Sequence, residues 1–243
     1  MCDIICYMKA VFFDFDGTLT YKCHNIWKMI WVRCGYRTDA NSYYAQLFRD
    51  FMANKITHQE WCDLTFSEFN KAKFDKDSLV ELAKDIKLID GVEETLKILK
   101  DNGFYLFVVS GNIVSVIDAV LGDKKQYFDG IMANELFFDE AGVINRIKGT
   151  NYDFEGKAKF ISEFKEKYDA SAKDLYFVGN GSNDEWAHLS GCNTICINPE
   201  ETDFENNTKW HKCVNNIDNL TDILTFILPK SAEDKQDCKT KVE

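Results

Sequence analysis

The stretch that most constrains this chain is Ala10-Val11-Phe12-Phe13-Asp14-Phe15, a short apolar run broken by one acid and closed by Asp16-Gly17-Thr18. Such a run, without alternation, suits a strand buried on both faces of a parallel sheet, and Gly17 marks the turn that ends it. The pattern recurs. Tyr105-Leu106-Phe107-Val108-Val109 ends at Ser110-Gly111-Asn112, Leu175-Tyr176-Phe177-Val178 ends at Gly179-Asn180-Gly181, and Thr194-Ile195-Cys196-Ile197 makes a further run. A strand is also expected around Asp129 to Ala133, and a hairpin about Asp139-Glu140-Ala141-Gly142. Helices are predicted over Val92 to Lys100, Ile113 to Leu121, Lys157 to Tyr168 and Ile217 to Leu228. Strands alternating with helices predict an α/β fold with a three-layer parallel-sheet core, with ligands at the carboxyl ends of the strands.

Residues 21–87 differ in character. No strand-like run occurs there, aromatics are dense, and apolar residues recur at helical spacing, as in Ile26 and Ile30, or Tyr44, Leu47, Phe48 and Phe51. The expected organisation is a discontinuous core of residues 1–20 and 88–230, a helical insert at 21–87, and a frayed polar tail at 231–243. A formal charge of −11 and a pI near 4.9 exclude a basic nucleic-acid footprint. Met1 to Met8 has no basic region ahead of its apolar residues, so neither a signal peptide nor a membrane span is expected. Nine scattered cysteines without a CxxC pair are read as free thiols of a cytoplasmic protein. Cys192 and Cys196 suit a strand core better than a metal. In that setting the sequons at Asn206 and Asn219 carry no weight.

Several expected strand ends carry chemistry. Asp14 and Asp16 leave the first strand two residues apart, so one carboxylate can attack or bind a metal while the other handles protons. Ser110 and the amides after it can hold an oxyanion. Lys157 at a helix start is a charged arm for a phosphate. Asn180 and Asp184 follow a third strand, and the acid suggests a hard divalent ion, Mg²⁺. This combination suits phosphoryl transfer, in which positioning and charge neutralisation supply most of the rate.

The ordered set resembles the haloacid dehalogenase-like phosphohydrolases, whose Rossmann-like core carries four motifs. They correspond here to Asp14-Phe15-Asp16-Gly17-Thr18-Leu19-Thr20, Val109-Ser110-Gly111-Asn112, Lys157, and Gly179-Asn180-Gly181-Ser182-Asn183-Asp184. The insert after the first motif resembles the family's C1-type helical cap, and the stretch from Asp129 to Gly142 is similar to the phosphoserine phosphatase branch. The resemblance covers about residues 8–20 and 88–228. It implies that Asp14 forms an aspartyl-phosphate and ligates Mg²⁺. It also implies that Asp16 protonates the leaving oxygen, activates water and offers its backbone carbonyl to the metal. Ser110, the Gly111 amide and Lys157 would hold the phosphoryl oxygens, and Asn180 and Asp184 would complete the metal site.

Two departures matter. The family's fourth motif usually begins Gly-Asp, whereas here Asn180 removes one negative charge from the metal shell. A unit charge pair at a few Å is worth about 4 kcal/mol at an effective dielectric near 20. Weaker Mg²⁺ binding is therefore expected. Phosphoserine-specific relatives carry an acid soon after the first motif and an arginine in the cap. The stretch Tyr21-Lys22-Cys23-His24-Asn25 has no acid, and Gln59-Glu60-Trp61-Cys62-Asp63 has no arginine. Lys22 and His24 stand near the catalytic loop but read first as a solvated hinge, and the cap aromatics read first as packing. The function expected is Mg²⁺-dependent hydrolysis of a small phosphorylated metabolite. A phosphate-binding protein with little turnover and a phosphotransferase or mutase remain the alternatives; dehalogenation is disfavoured.

Overall fold

The computed structural model describes residues 8–22, 25–199 and 208–228. Cys2, Cys6, Cys23, His24, Asn206, Cys238 and the tail at 231–243 lie outside the described residues. The chain forms β1 (Lys9–Phe13) and then α1 (Ile26–Arg33), α2 (Tyr43–Met52), α3 (His58–Lys71) and α4 (Lys76–Ala83). It continues through α5 (Val92–Asp101), β2 (Phe104–Ile113), α6 (Val114–Leu121), β3 (Gly130–Phe138) and β4 (Ile144–Lys148). α7 (Glu155–Lys167), β5 (Leu175–Gly179), β6 (Asn193–Ile197), β7 (Lys212–Val214) and α8 (Leu224–Ile227) complete it.

The described strands form one sheet in the order β4-β3-β2-β1-β5-β6-β7. The pairs are parallel except β3 with β4. The expected parallel sheet thus carries an antiparallel edge, because the hairpin closed at Asp139–Gly142 returns its second strand beside the first. β1 is buried on both faces, as its unbroken apolar run requires. Val11 and Phe13 enter one core cluster with α5 and α6, whereas Ala10 and Phe12 enter another with α7. Cys192 and Cys196 are buried in that second cluster.

From β1 the chain extends to β2 and β3 on one side and later to β5, β6 and β7 on the other. The sheet order therefore reverses at β1, and a crevice opens at its carboxyl end. The helical insert leaves and rejoins the core through paired segments: Tyr21 N–H donates to Lys87 O (2.9 Å) and Ile89 N–H to Leu19 O (3.0 Å). Each insert helix starts at a capping side chain, namely Asn25, Ser42, Thr57 and Asp75. Trp31, fully buried, packs against Tyr36, Tyr44 and Phe69 at 5.1–5.9 Å between ring centroids.

Two local expectations differ from the structure. The last helix is shorter than 217–228: a 3₁₀ turn covers Leu220–Ile223 and α8 adds one turn. The Asn219 side chain accepts from Thr221 N–H at 3.0 Å, and Leu220 N–H donates to Asp90 O at 2.8 Å, which hold residues 219 and 220 outside the helix. The three-residue β7 gives too little sequence signal to be seen ahead of the sheet. Phe12 sits at the sheet centre against Phe107, Phe160 and Phe164, at 5.4, 5.9 and 5.5 Å. Phe12→Ala is expected to cost about 3–5 kcal/mol of unfolding free energy in urea titration, and a loss under about 1 kcal/mol would contradict this packing account.

Candidate active site

The crevice at the end of β1 is a hollow of about 130 Å³ with Asp14, Asp16, Ser110, Gly111, Asp153 and Asn180 among its walls. Three adjacent strand ends supply most of them. β1 ends at Asp14. Gly17 turns the chain back with φ +76°, a conformation that favours glycine, and a Cβ there would overlap the Asn180 side chain. β2 bulges where it meets β3: Val109 pairs with Met132 and Ile113 with Asn134, so Ser110, Gly111 and Asn112 stand opposite Ala133 alone. Such a bulge frees backbone and side chains from the ladder at the sheet's end. β5 ends at Gly179 and releases Asn180.

Lys157, on the first turn of α7, joins these pieces. Its Nζ donates to Asp14 Oδ1 at 2.9 Å and to Asp184 Oδ1, with the lysine side chain fully buried. Asp184 Oδ2 accepts the backbone N–H groups of Asn180 (2.9 Å) and Gly181 (3.0 Å). Asp184 therefore stands behind Lys157 and off the pocket wall, its oxygens taken up by the ammonium and the loop. Asn112 Nδ2 donates to Asp16 Oδ2 at 2.8 Å, while Asp16 Oδ1 is buried without a hydrogen-bond partner. Asn180 Oδ1 lies 3.4 Å from the Thr18 hydroxyl.

Three further residues carry no role in the sequence reading. Asp153, four residues before Lys157, lies so close to Gly111 that a Cβ there would overlap its carboxylate, and Asn183 Nδ2 donates to Asp153 Oδ1 at 3.2 Å. An acid just ahead of a helix reads as a cap, but α7 has no side-chain cap, and that mismatch is the signal that could have exposed it. Asn134 Nδ2 donates to Gly111 O at 2.7 Å, and its Oδ1 accepts Thr150 N–H at 2.8 Å. Trp27, from α1 of the insert, donates from Nε1 to the same Gly111 carbonyl at 2.9 Å. With Asn25 and Ile26 it forms the insert's share of the pocket wall.

Four carboxyls (Asp14, Asp16, Asp153, Asp184) thus crowd one ammonium. Burial and then the Asp184 charge push the Asp14 carboxyl up to about 7, against the opposing pull of Lys157. Burial and then Asp14 hold Asp16 well above its ordinary value, and burial raises Asp153. Burial pulls the Lys157 ammonium down, but the carboxylates outweigh it and hold it above the ordinary lysine range. This excess negative charge suits a cation. Oxygen donors on the wall include those of Asp14, Asp16, Asp153 and the Asn180 amide. Such a set of carboxylate and amide oxygens fits Mg²⁺, which keeps several waters and binds through one or two carboxylates. Among the described residues, no group of three or more His, Cys, Asp or Glu is arranged to hold a metal ion.

The sequence model of the haloacid dehalogenase-like hydrolases matches residues 11–185, well over half of the chain and all four motifs. The chain belongs to that family. A phosphoserine phosphatase of Archaeoglobus fulgidus is 32% identical over 99 residues, which are 41% of this chain but only 28% of that protein. Another from Methanocaldococcus jannaschii is 24% identical over 177 residues, covering 72% of this chain and 79% of its own. The fold is similar to a structure described as a phospho-aspartyl intermediate analogue of phosphoserine phosphatase, with TM-score 0.67, 21% identity, and 91% and 100% of the two chains covered.

Raised carboxyls also set a pH dependence. A carboxyl whose folded pKa exceeds its unfolded value binds extra protons when folded, so stability falls as pH rises between the two, from 3.8 to about 7 for Asp14. The raised Lys157 contributes stability fully present below its ordinary 10.5 and drops out of this window. Mg²⁺ is therefore expected to raise the Tm markedly at about pH 7.5, where it relieves ionised carboxylates, and little at about pH 5. Thermal unfolding with Mg²⁺ or EDTA reads this directly, and equal shifts at both pH values would refute it.

Proposed function

We propose that the protein hydrolyses a small phosphomonoester with Mg²⁺, through a phosphoryl group carried transiently on Asp14. The observation that carries this reading is the Lys157 ammonium seated on Asp14 beside a pocket walled by Ser110 and Gly111. An anionic nucleophile and an anionic substrate repel, and a fixed ammonium on the nucleophile lowers that repulsion without reorganisation. Asp14, the Asp16 carbonyl and Asn180 would hold the metal, with Asp184 behind them; when bound it neutralises charge on the phosphoryl oxygens. Ser110 and the Gly111 amide orient the phosphoryl group. Asp16, held above its ordinary value by burial, is the group proposed to give a proton to the leaving oxygen and later take one from water. Asn112 holds its carboxyl in place.

The insert is proposed to act as a cap. Asn25, Ile26 and Trp27 close one side of the pocket, which excludes bulk water from the phospho-enzyme. Residues 21–87 and a core of 1–20 with 88–230 are the units proposed to move. The setting proposed is cytoplasmic, with a small phosphorylated metabolite as partner. Among the described residues, no helix is long and apolar enough to cross a membrane.

Asn180 favours a second reading, a phosphate binder with slow turnover, because it removes one charge from the metal shell. One experiment separates the two: phosphate release from p-nitrophenyl phosphate over a Mg²⁺ titration. The phosphatase reading expects turnover abolished by EDTA and by Asp14→Asn, the latter with its unfolding transition retained. Asn180→Asp is expected to lower the Mg²⁺ needed for half-maximal rate by about ten-fold, the worth of a fraction of one charge pair. Phosphate binding without release in excess Mg²⁺ would support the binder. Phosphate appearing on an added alcohol in preference to water would mark a transferase.

A further inference from the structure

A second cavity, of about 600 Å³, lies between the end of α2, the start of α3 and the segment 150–155. Asp153 lines both it and the smaller hollow. A group esterified to a phosphoryl in the small pocket thus has the large cavity beyond Asp153 to occupy. The wall chemistry there is one-sided. Phe51, Phe154 and Trp186 offer aromatic faces, Asp153 and Glu155 offer carboxylates, and no lysine or arginine among the described residues lines it. His58 also lines it, but stacks on Trp61 at 6.0 Å, and burial holds it below its ordinary pKa, so it adds no cation at neutral pH.

Asp153 makes this imbalance consequential. It stands beside a pocket built for an anion, with the Asn183 amide as its donor, while Lys157 is engaged by Asp14 and Asp184. A dianionic phosphoryl group is repelled by that carboxylate, and a positive charge carried on the substrate beside Asp153 offsets the repulsion. An ammonium on the leaving alcohol would bring that charge toward Asp153, which both hollows share. A carboxylate in the same place would meet acids and find no base. Aromatic faces beside acids are the surroundings that favour alkylammonium groups.

We propose that the leaving alcohol of the substrate carries an ammonium group and no carboxylate, making the substrate a phosphorylated amino alcohol whose nitrogen is held by Asp153, Glu155 and the aromatic faces of the larger cavity. The proposal rests on the phosphatase reading for its reaction but not for its binding preference, and the two are tested separately. Binding is measured by calorimetry on the full chain carrying Asp14→Asn, with Mg²⁺, using phosphocholine, O-phosphoethanolamine and O-phospho-L-serine as probes. The two ammonium esters without a carboxylate are expected to bind at least about ten-fold more tightly than O-phospho-L-serine. Glu155→Lys should shrink that ratio at least about five-fold, and Asp153→Asn should shrink it as well. Equal or tighter binding of O-phospho-L-serine, or a ratio unmoved by both substitutions, would overturn the proposal. Phosphate release from p-nitrophenyl phosphate by the native chain reads the other question. Release without ammonium preference sinks this proposal and leaves the phosphatase standing; ammonium-selective binding without release does the reverse.

Discussion

A single buried ammonium holds the functional end of this molecule together. Lys157 leaves water completely, which is costly unless its charge is matched, and it is matched by Asp14 from β1 and Asp184 from the loop after β5. Asp184 passes the constraint on by accepting the Asn180 and Gly181 amides, so α7, β1 and the β5 loop are fixed to one another through one nitrogen. Removing the ammonium from such a buried cluster costs about 3–5 kcal/mol, because the carboxylates left behind are uncompensated. Stability and chemistry therefore draw on the same atoms.

The sheet makes that convergence possible. With β1 between β2 and β5, the ends that carry Asp14, Ser110 and Asn180 are neighbours although the residues are far apart in sequence. The β2 bulge then turns Ser110 to Asn112 out of the ladder. Its exposed carbonyl at Gly111 is held from two directions, by Asn134 from β3 and by Trp27 from the insert. The second of these bonds links the helical insert directly to the pocket wall, the route by which the proposed movement of the insert would reach the site.

Much of this was legible in the chain because burial on both sheet faces demands unbroken apolar runs, and polar residues at their ends have little structural reason to be there. Asp14, Asp16, Ser110 and Asn180 stand out on that ground, Lys157 and Asp184 by their place in the ordered set of motifs, and the structure brings all six to one region. What stayed hidden depends on tertiary contact alone. Asp153 imitates a helix cap, Asn134 lies inside a strand, and Trp27 sits among aromatics whose default role is packing. Asp184 was read as facing the metal; its place behind Lys157 follows from side-chain geometry that spacing does not encode. The antiparallel edge β4 followed from the hairpin, whereas the three-residue β7 gains its order only from β6 beside it.

The electrostatic account joins these parts. More carboxyls than one ammonium can balance hold Asp14 up at about 7 and Asp16 well above its ordinary value. Asp14 itself is proposed to carry the phosphoryl group, as an acyl phosphate. The direct measurement is mass spectrometry of the acid-quenched protein during turnover. The peptide containing Asp14 should carry one phosphoryl group, lost on treatment with hydroxylamine. Steady turnover with that peptide always unmodified would contradict the account.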